Sequence, residues 1–219
     1  MIPDVHFADN ASQRTPCVLV LDGSASMAGD PIHQLNAGLL TFESQLKGNP
    51  LTALRVQVLV IVANGNAKTD VVTEWCDAID FDPPTVRADG NTPLGAAMAL
   101  ALDRVEEQKA VYDAHGVSST RPWILLISDG VPTDPGWERV AARCRQAELD
   151  KRCVVFPIGT RDADLGALGR FSVNPPKQLE GLHFSDLFVW LSRSMTAVSQ
   201  SAPGEAVQLP ATSWASVDA

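Results

Sequence analysis

The sequence holds few of the residues that build redox or transition-metal chemistry. Its four cysteines, Cys17, Cys76, Cys144 and Cys153, form no C-x-x-C pair and sit mostly in apolar runs. They read as buried free thiols of a reducing compartment, not as a disulfide frame or a zinc site. Histidine is scarce too: His6, His33, His115 and His183 are scattered without metal-ligand spacing and read as solvated or hydrogen-bonded side chains. Basic residues are the minority, 17 Lys plus Arg against 26 Asp plus Glu, for a formal charge of −9. That field repels polyanions, which argues against nucleic acid and anionic membrane as partners and favours cations and basic proteins. No apolar run approaches the roughly 20 residues needed to span a bilayer. Residues 1–15, with Asp4 and Asp9, lack the apolar core of a secretion signal. The expected address is therefore the cytoplasm, and Asn10-Ala11-Ser12 matches a glycosylation acceptor only formally. Also missing are internal repeats, a G-x-G-x-x-G or Walker phosphate loop, and a nucleophile elbow.

What remains is an ordinary globular composition, 45% hydrophobic and 20% charged over 219 residues, suited to one α/β domain with a tail. Apolar β-rich runs alternate with helix-period segments. That pattern predicts a Rossmann-like, doubly wound, mostly parallel central sheet with helices on both faces. Cys17 to Leu21 reads as a buried strand ending at Asp22. A helix opens at Pro31, carries Ile32, Leu35, Leu39, Phe42 and Leu46 at helical spacing, and stops at Gly48-Asn49-Pro50. Arg55–Ala63 and Lys68–Trp75 read as strands. The short Asn64-Gly65-Asn66 turn between them predicts a hairpin, hence one antiparallel edge strand. A helix follows Pro93, a mobile surface loop is expected from Asp113 to Thr120, and Trp123 to Ser128 is a strand ending before Asp129. Trp137–Leu149 reads as a helix, Cys153–Ile158 as a strand, Asp162–Phe171 as a short helix, Lys177–Leu182 as a last strand and Phe184–Val198 as a closing helix. The expected division is an extension over 1–15, a domain over 16–199 and a tail over 200–219, which Leu209 and Trp214 are candidates to dock.

Two predicted strands thus end in aspartates. In an open doubly wound sheet ligands bind beyond the carboxyl ends of the strands, where the strand order reverses. Asp22-Gly23-Ser24-Ala25-Ser26 offers one carboxylate and two hydroxyls at alternate positions of a single loop. Thr92 adds a third hydroxyl and Asp129 a second carboxylate. Every donor is a hard oxygen, which selects Mg²⁺, with Ca²⁺ or Mn²⁺ as alternatives. Taken singly each piece has a plainer reading: Asp-Gly-Ser as a turn, Thr92 as a helix N-cap before Pro93, Asp129-Gly130 as a strand exit. Asp134 is expected to cap the helix beginning near Pro135, with an outer-shell metal contact as the alternative. Glu74, Asp77, Asp80 and Asp82 read as a solvated acidic loop, and Trp75, Trp123 and Trp190 as core.

Together, Asp22-x-Ser24-x-Ser26, Thr92 and Asp129 resemble the metal-ion-dependent adhesion site of von Willebrand factor A domains. Asp89-Gly90-Asn91-Thr92-Pro93-Leu94-Gly95, Ser128-Asp129-Gly130-Val131-Pro132-Thr133-Asp134 and Leu187-Phe188-Val189-Trp190-Leu191-Ser192 further resemble the bacterial tellurite-resistance, TerY-like branch. Ala25 stands where that family usually has Gly. The resemblance implies a non-enzymatic module that binds a divalent cation and engages an acidic residue of a partner protein. It also implies kinase or PP2C-type phosphatase partners in a stress-response system. Two other functions fit the same residues. One is a Mg²⁺-dependent phosphoryl hydrolase with Asp22 as nucleophile, against which Ser24 stands where such enzymes place an acidic proton donor. The other is a structural subunit whose metal only braces three loops.

Overall fold

The computed structural model describes residues 12–65, 68–160, 163–202, 205–212 and 215–216. Its strands are β1 (Thr15–Asp22), β2 (Val56–Asn64), β3 (Lys68–Asp77), β4 (Trp123–Ser128), β5 (Val154–Gly159), β6 (Lys177–Leu179) and β7 (Ala215–Ser216). Its helices are α1 (Asp30–Lys47), α2 (Pro50–Arg55), α3 (Leu94–Ala114), α4 (Trp137–Leu149), α5 (Leu165–Leu168) and α6 (Phe184–Gln200). The sheet runs β3-β2-β1-β4-β5-β6-β7. β3 is antiparallel at one edge, as its hairpin signal predicts, and β2, β1, β4, β5 and β6 pair in parallel in that order. The two-residue β7 adds a second antiparallel pairing, on β6.

Alternation along the strands builds two cores. Cys17, Leu19 and Leu21 of β1 pack with α1 and α6, while Val18 and Val20 pack with α3 and α4. This is why the central strands read as unbroken apolar runs: both faces are covered. α6 drives Phe184, Leu187, Phe188, Leu191 and Met195 to full burial, each contributing about 1.5–3 kcal/mol relative to exposure. It crosses α1 at Gly38, where a Cβ would stand 2.5 Å from the Phe188 ring. A larger residue there would push the two helices apart.

Three expectations need correction. Gly48-Asn49-Pro50 stops α1 but also starts α2: the Asn49 carboxamide oxygen accepts from the amides of Leu51 and Thr52, both at 3.1 Å, with Pro50 suited to the first turn. The stretch from Asp113 to Thr120 is not a free loop. α3 continues to Ala114, Val117 is buried, and Arg14 brackets the segment by donating to the Ser118 carbonyl and accepting from the Thr120 amide, each at 2.8 Å. The helix expected over Asp162–Phe171 is α5 followed by a 3₁₀ turn at Gly169–Phe171, and Asp162 lies outside the described residues. In the tail, Val207 and Leu209 pack on the core and the Trp190 indole donates to the Pro210 carbonyl at 2.9 Å. Trp214 lies outside the described residues.

β6 covers only the end of β5, pairing at Ile158 and Gly159. The rest of that edge is closed by side chains. The buried Glu148 carboxylate accepts from the Val155 amide at 2.8 Å and from Val173 at 2.7 Å. Ser172 Oγ donates to the Val155 carbonyl at 3.0 Å, and Pro157 has no amide hydrogen to offer. Such an edge cannot template another strand.

Candidate functional site

β1 and β4 are parallel neighbours, so the acids that follow them meet at the carboxyl end of the sheet. The chain leaves them in opposite directions, β2 lying beyond β1 and β5 beyond β4. This is the reversal point at which an open α/β sheet leaves a crevice. Gly23 lets the β1 exit tuck in: a Cβ there would meet Val62 Cγ1 at 2.8 Å and the Arg87 carbonyl at 3.1 Å. Its amide bonds the Ala63 carbonyl at 2.8 Å and its carbonyl accepts from Asp89 at 2.7 Å.

Asp22 is fully buried. Oδ1 accepts from the Ser24 amide at 2.8 Å, and Oδ2 accepts from the Ser128 hydroxyl. Ser24 Oγ and Ser26 Oγ lie 2.9 Å apart, and Ser26 Oγ donates to Asp129 Oδ1 at 2.8 Å. One polar chain therefore joins both acids and both serines. Burial pushes the Asp22 carboxyl above its ordinary range, hydrogen bonds from Ser128 and Ser24 pull it down, and the nearby Asp129 charge raises it; the net shift is upward.

Thr92 belongs to the same cluster. It is 6% exposed, and its hydroxyl faces Gly130, where an added Cβ would stand 3.6 Å from Oγ1. Its amide donates to Thr133 Oγ1 at 3.1 Å and its carbonyl accepts from the Thr133 amide at 2.9 Å. Thr92 does not cap a helix, because the residue bordering α3 is Pro93. The cap comes from across the crevice: Asp134 accepts from the amides of Gly95 at 3.0 Å and Ala96 at 2.9 Å. The expectation that Asp134 caps its own following helix is thus corrected. Gly95 makes this approach possible, since a Cβ there would lie 2.4 Å from Asp134 Oδ2. On the other side of Thr92, Gly90 bridges to Gly65 of the β2–β3 hairpin, both with positive φ (68° and 70°). A Cβ on Gly90 would fall 2.4 Å from the Gly65 Cα.

Asp22, Ser24, Ser26, Thr92 and Asp129 therefore converge. Sequence patterning assigned Ser128 and Thr133 no role in this crevice and marked Gly65 only as part of a hairpin turn. Ser128 had a usable signal in being the last strand residue beside Asp22, but which oxygen it would serve depends on strand register. Among the described residues, ion pairs involve neither Asp22 nor Asp129. Two acids sharing a crevice with three hydroxyls, and ion-paired to no cation among the described residues, suit a hard divalent cation. Among the described residues no group of three His, Cys, Asp or Glu side chains is placed to hold a metal ion, so hydroxyls must supply much of any coordination here. Glu74 and Asp77, expected in a solvated acidic loop, lie instead in β3, where Asp77 accepts from Gln57 at 2.7 Å and Glu74 pairs with Arg104; Asp80 and Asp82 follow the strand. Trp123 and Trp190 are buried, as expected of core residues, and Trp75 is half-buried. All four cysteines are free thiols.

The profile of the von Willebrand factor type A domain matches residues 17–186. No curated protein sequence matches the chain. Among solved structures, the chain is similar to the pilus adhesin SpaC from Lactobacillus rhamnosus GG in its open conformation, with a TM-score of 0.66 and 12% identity over 84% of this chain and 30% of that one. It is similar to the ArnB paralog VWA2 from Sulfolobus acidocaldarius, with a TM-score of 0.57 and 16% identity over 83% and 45%. It is also similar to proximal thread matrix protein 1 from the mussel byssus, with a TM-score of 0.56 and 14% identity over 85% and 49%. The chain spans less than half the length of each, and at such identities the likeness is one of fold. Among the described residues no helix is long and apolar enough to cross a membrane.

Proposed function

The chain belongs to the von Willebrand factor type A domain family, and from that premise we propose that it is a non-enzymatic, metal-dependent protein-binding module. Asp22, Ser24, Ser26, Thr92 and Asp129 would hold a divalent cation, Mg²⁺ before Ca²⁺ or Mn²⁺. The observation that carries the reading is the hydroxyl bridge from Ser26 to Asp129, which draws oxygens from both strand ends into one crevice. A bound cation supplies a positive, oxygen-seeking contact point for a carboxylate of the partner. The chain's own residues do the rest. The Ser24 amide and Ser128 hydroxyl orient Asp22, Thr133 fixes Thr92, and Val131, 49% exposed beside Asp129, offers an apolar rim.

A phosphoryl-transfer role for Asp22 fits less well. Both of its oxygens already accept hydrogen bonds, and Ser24 provides no acidic proton. Purified protein is expected to leave nucleotides and phosphomonoesters intact. The narrower reading, a TerY-like protein of a cytoplasmic tellurite-resistance or stress system with kinase or PP2C-type phosphatase partners, rests on the segments 89–95, 128–134 and 187–192 alone.

The test is capture of partners from the source cell with Mg²⁺ or with EDTA, followed by affinity measurement with Thr92→Ala. EDTA and the substitution should each weaken binding severalfold to about a hundredfold, corresponding to about 1–3 kcal/mol for a charge-assisted contact. Affinity indifferent to both would overturn the proposal, and partner binding that survives metal removal would favour a bracing role.

A further inference from the structure

The opposite pole of the sheet carries a second feature. A cavity of about 580 Å³ opens where β4 and β5 begin, beside Trp123 and Val154. It therefore lies at the far end of the strands from Asp22 and Asp129, and its volume falls in the range of small-molecule sites. Its apolar side is aromatic: the rings of Trp123 and Phe156 are 4.5 Å apart between centroids, and Trp190 stands behind both at about 6 Å. Val207 and Leu209 of the tail also line it.

The polar side is cationic. Lys109, Arg121, Lys151 and Arg152 line the cavity, four of only 17 basic residues in a chain of charge −9. Arg152 pairs with Glu106 and Asp150. Among the described residues no ion pair engages the other three. The acid in the lining, Glu205, is turned to the Ala202 amide at 2.9 Å. Thr120, 7% exposed, also lines the cavity.

We propose that this cavity binds a small amphipathic organic anion: a flat apolar body against Trp123 and Phe156, and a carboxylate or phosphate facing the cations. The arrangement has both halves of such a ligand's chemistry, and nothing in it depends on the crevice at the other pole.

The test is calorimetric titration of the full chain with 2-naphthoate as the probe. Saturable one-to-one binding is expected, weakening as salt rises. 2-Naphthalenemethanol, the neutral counterpart, should bind about tenfold more weakly or worse, and acetate should show no binding over the same range. Arg121→Ala with Lys151→Ala removes two exposed charges and should weaken the probe about tenfold without lowering the melting temperature. The affinity should be the same in Mg²⁺ and in EDTA. Absence of saturable binding would overturn the proposal. So would equal affinity for the acid and the alcohol, or wild-type affinity in the double variant.

Discussion

Asp134 links the fold to the proposed metal crevice, and its removal makes a sharp test. Its carboxylate receives the amides of Gly95 and Ala96 at the start of α3, so it acts as a cap supplied by another element. Losing a capping side chain costs about 0.5–2 kcal/mol, and removing a negative charge from a helix N-terminus about 0.3–1 kcal/mol more. Ala96 is exposed and water can replace one of the two bonds, so a total of about 1–2 kcal/mol is expected for Asp134→Ala. For a chain of this size that lowers the melting temperature by roughly 2–8 °C. The informative readout is a second one. Asp134 and Thr133 are the stitches between the β4–α4 loop and the Thr92 segment, so loosening them should raise the Mg²⁺ concentration at half-stabilisation severalfold. Asp134→Asn keeps one acceptor oxygen and should recover part of both effects. Thermal melts across a Mg²⁺ series separate the cases. An unchanged Mg²⁺ midpoint in a clearly destabilised Asp134→Ala protein would refute the claim that this cap positions the crevice.

Three further outcomes are expected. In EDTA, the raised folded pKa of Asp22 means its contribution to stability is fully present below the ordinary value of 3.8 and is lost as pH rises through the folded value. Wild type should therefore lose melting temperature relative to Asp22→Asn on going from pH 4 towards neutrality, and a pH-independent difference would refute this. Glu148→Ala strands the buried amide of Val155 and frees the part-buried amide of Val173 to solvent, and should cost about 1–3 kcal/mol in urea unfolding; no measurable loss would show that the β5 edge is closed by other means. Burial pushes the thiols of Cys17 and Cys153 up to about 12 and that of Cys76 to about 11, and also raises Cys144. Native protein at pH 8 should thus react slowly with a thiol reagent and completely once unfolded, whereas a fast native phase would contradict that burial.

The sheet was legible because burial on both faces writes itself into β1, β2 and β4 as continuous apolar runs, and a hairpin signal marked β3 as antiparallel. Trp123–Ser128 and Trp137–Leu149 were bounded correctly by the same apolar patterning. α2 was not legible: its cap, Asn49, sits in a Gly-Asn-Pro run that signals a stop more strongly than a start. The segment after α3 looked free because its anchors, Arg14 among them, are distant in sequence. The five oxygen residues were readable as a candidate set because Asp22 and Asp129 stand at the ends of predicted strands and Thr92 precedes a predicted helix. The roles of Ser128 and Asp134 were not, because one depends on which oxygen of Asp22 faces β4 and the other on a helix that the local chain does not contain.

The contact between Gly65 and Gly90 has a consequence for anyone redesigning this protein. Backbone touches backbone there, with Gly65 donating to the Asp89 carbonyl at 3.0 Å and accepting from Asn91 at 3.4 Å, one residue short of Thr92. The β2–β3 hairpin is therefore a poor place to graft a peptide or a fluorophore, since any widening of the turn would be felt as a displacement of Thr92. The turn at Gly116 is the better graft point: a Cβ added there meets no described atom within 4 Å. It follows the carboxyl end of α3, so an insertion there leaves the Thr92 segment at the opposite end of that helix undisturbed.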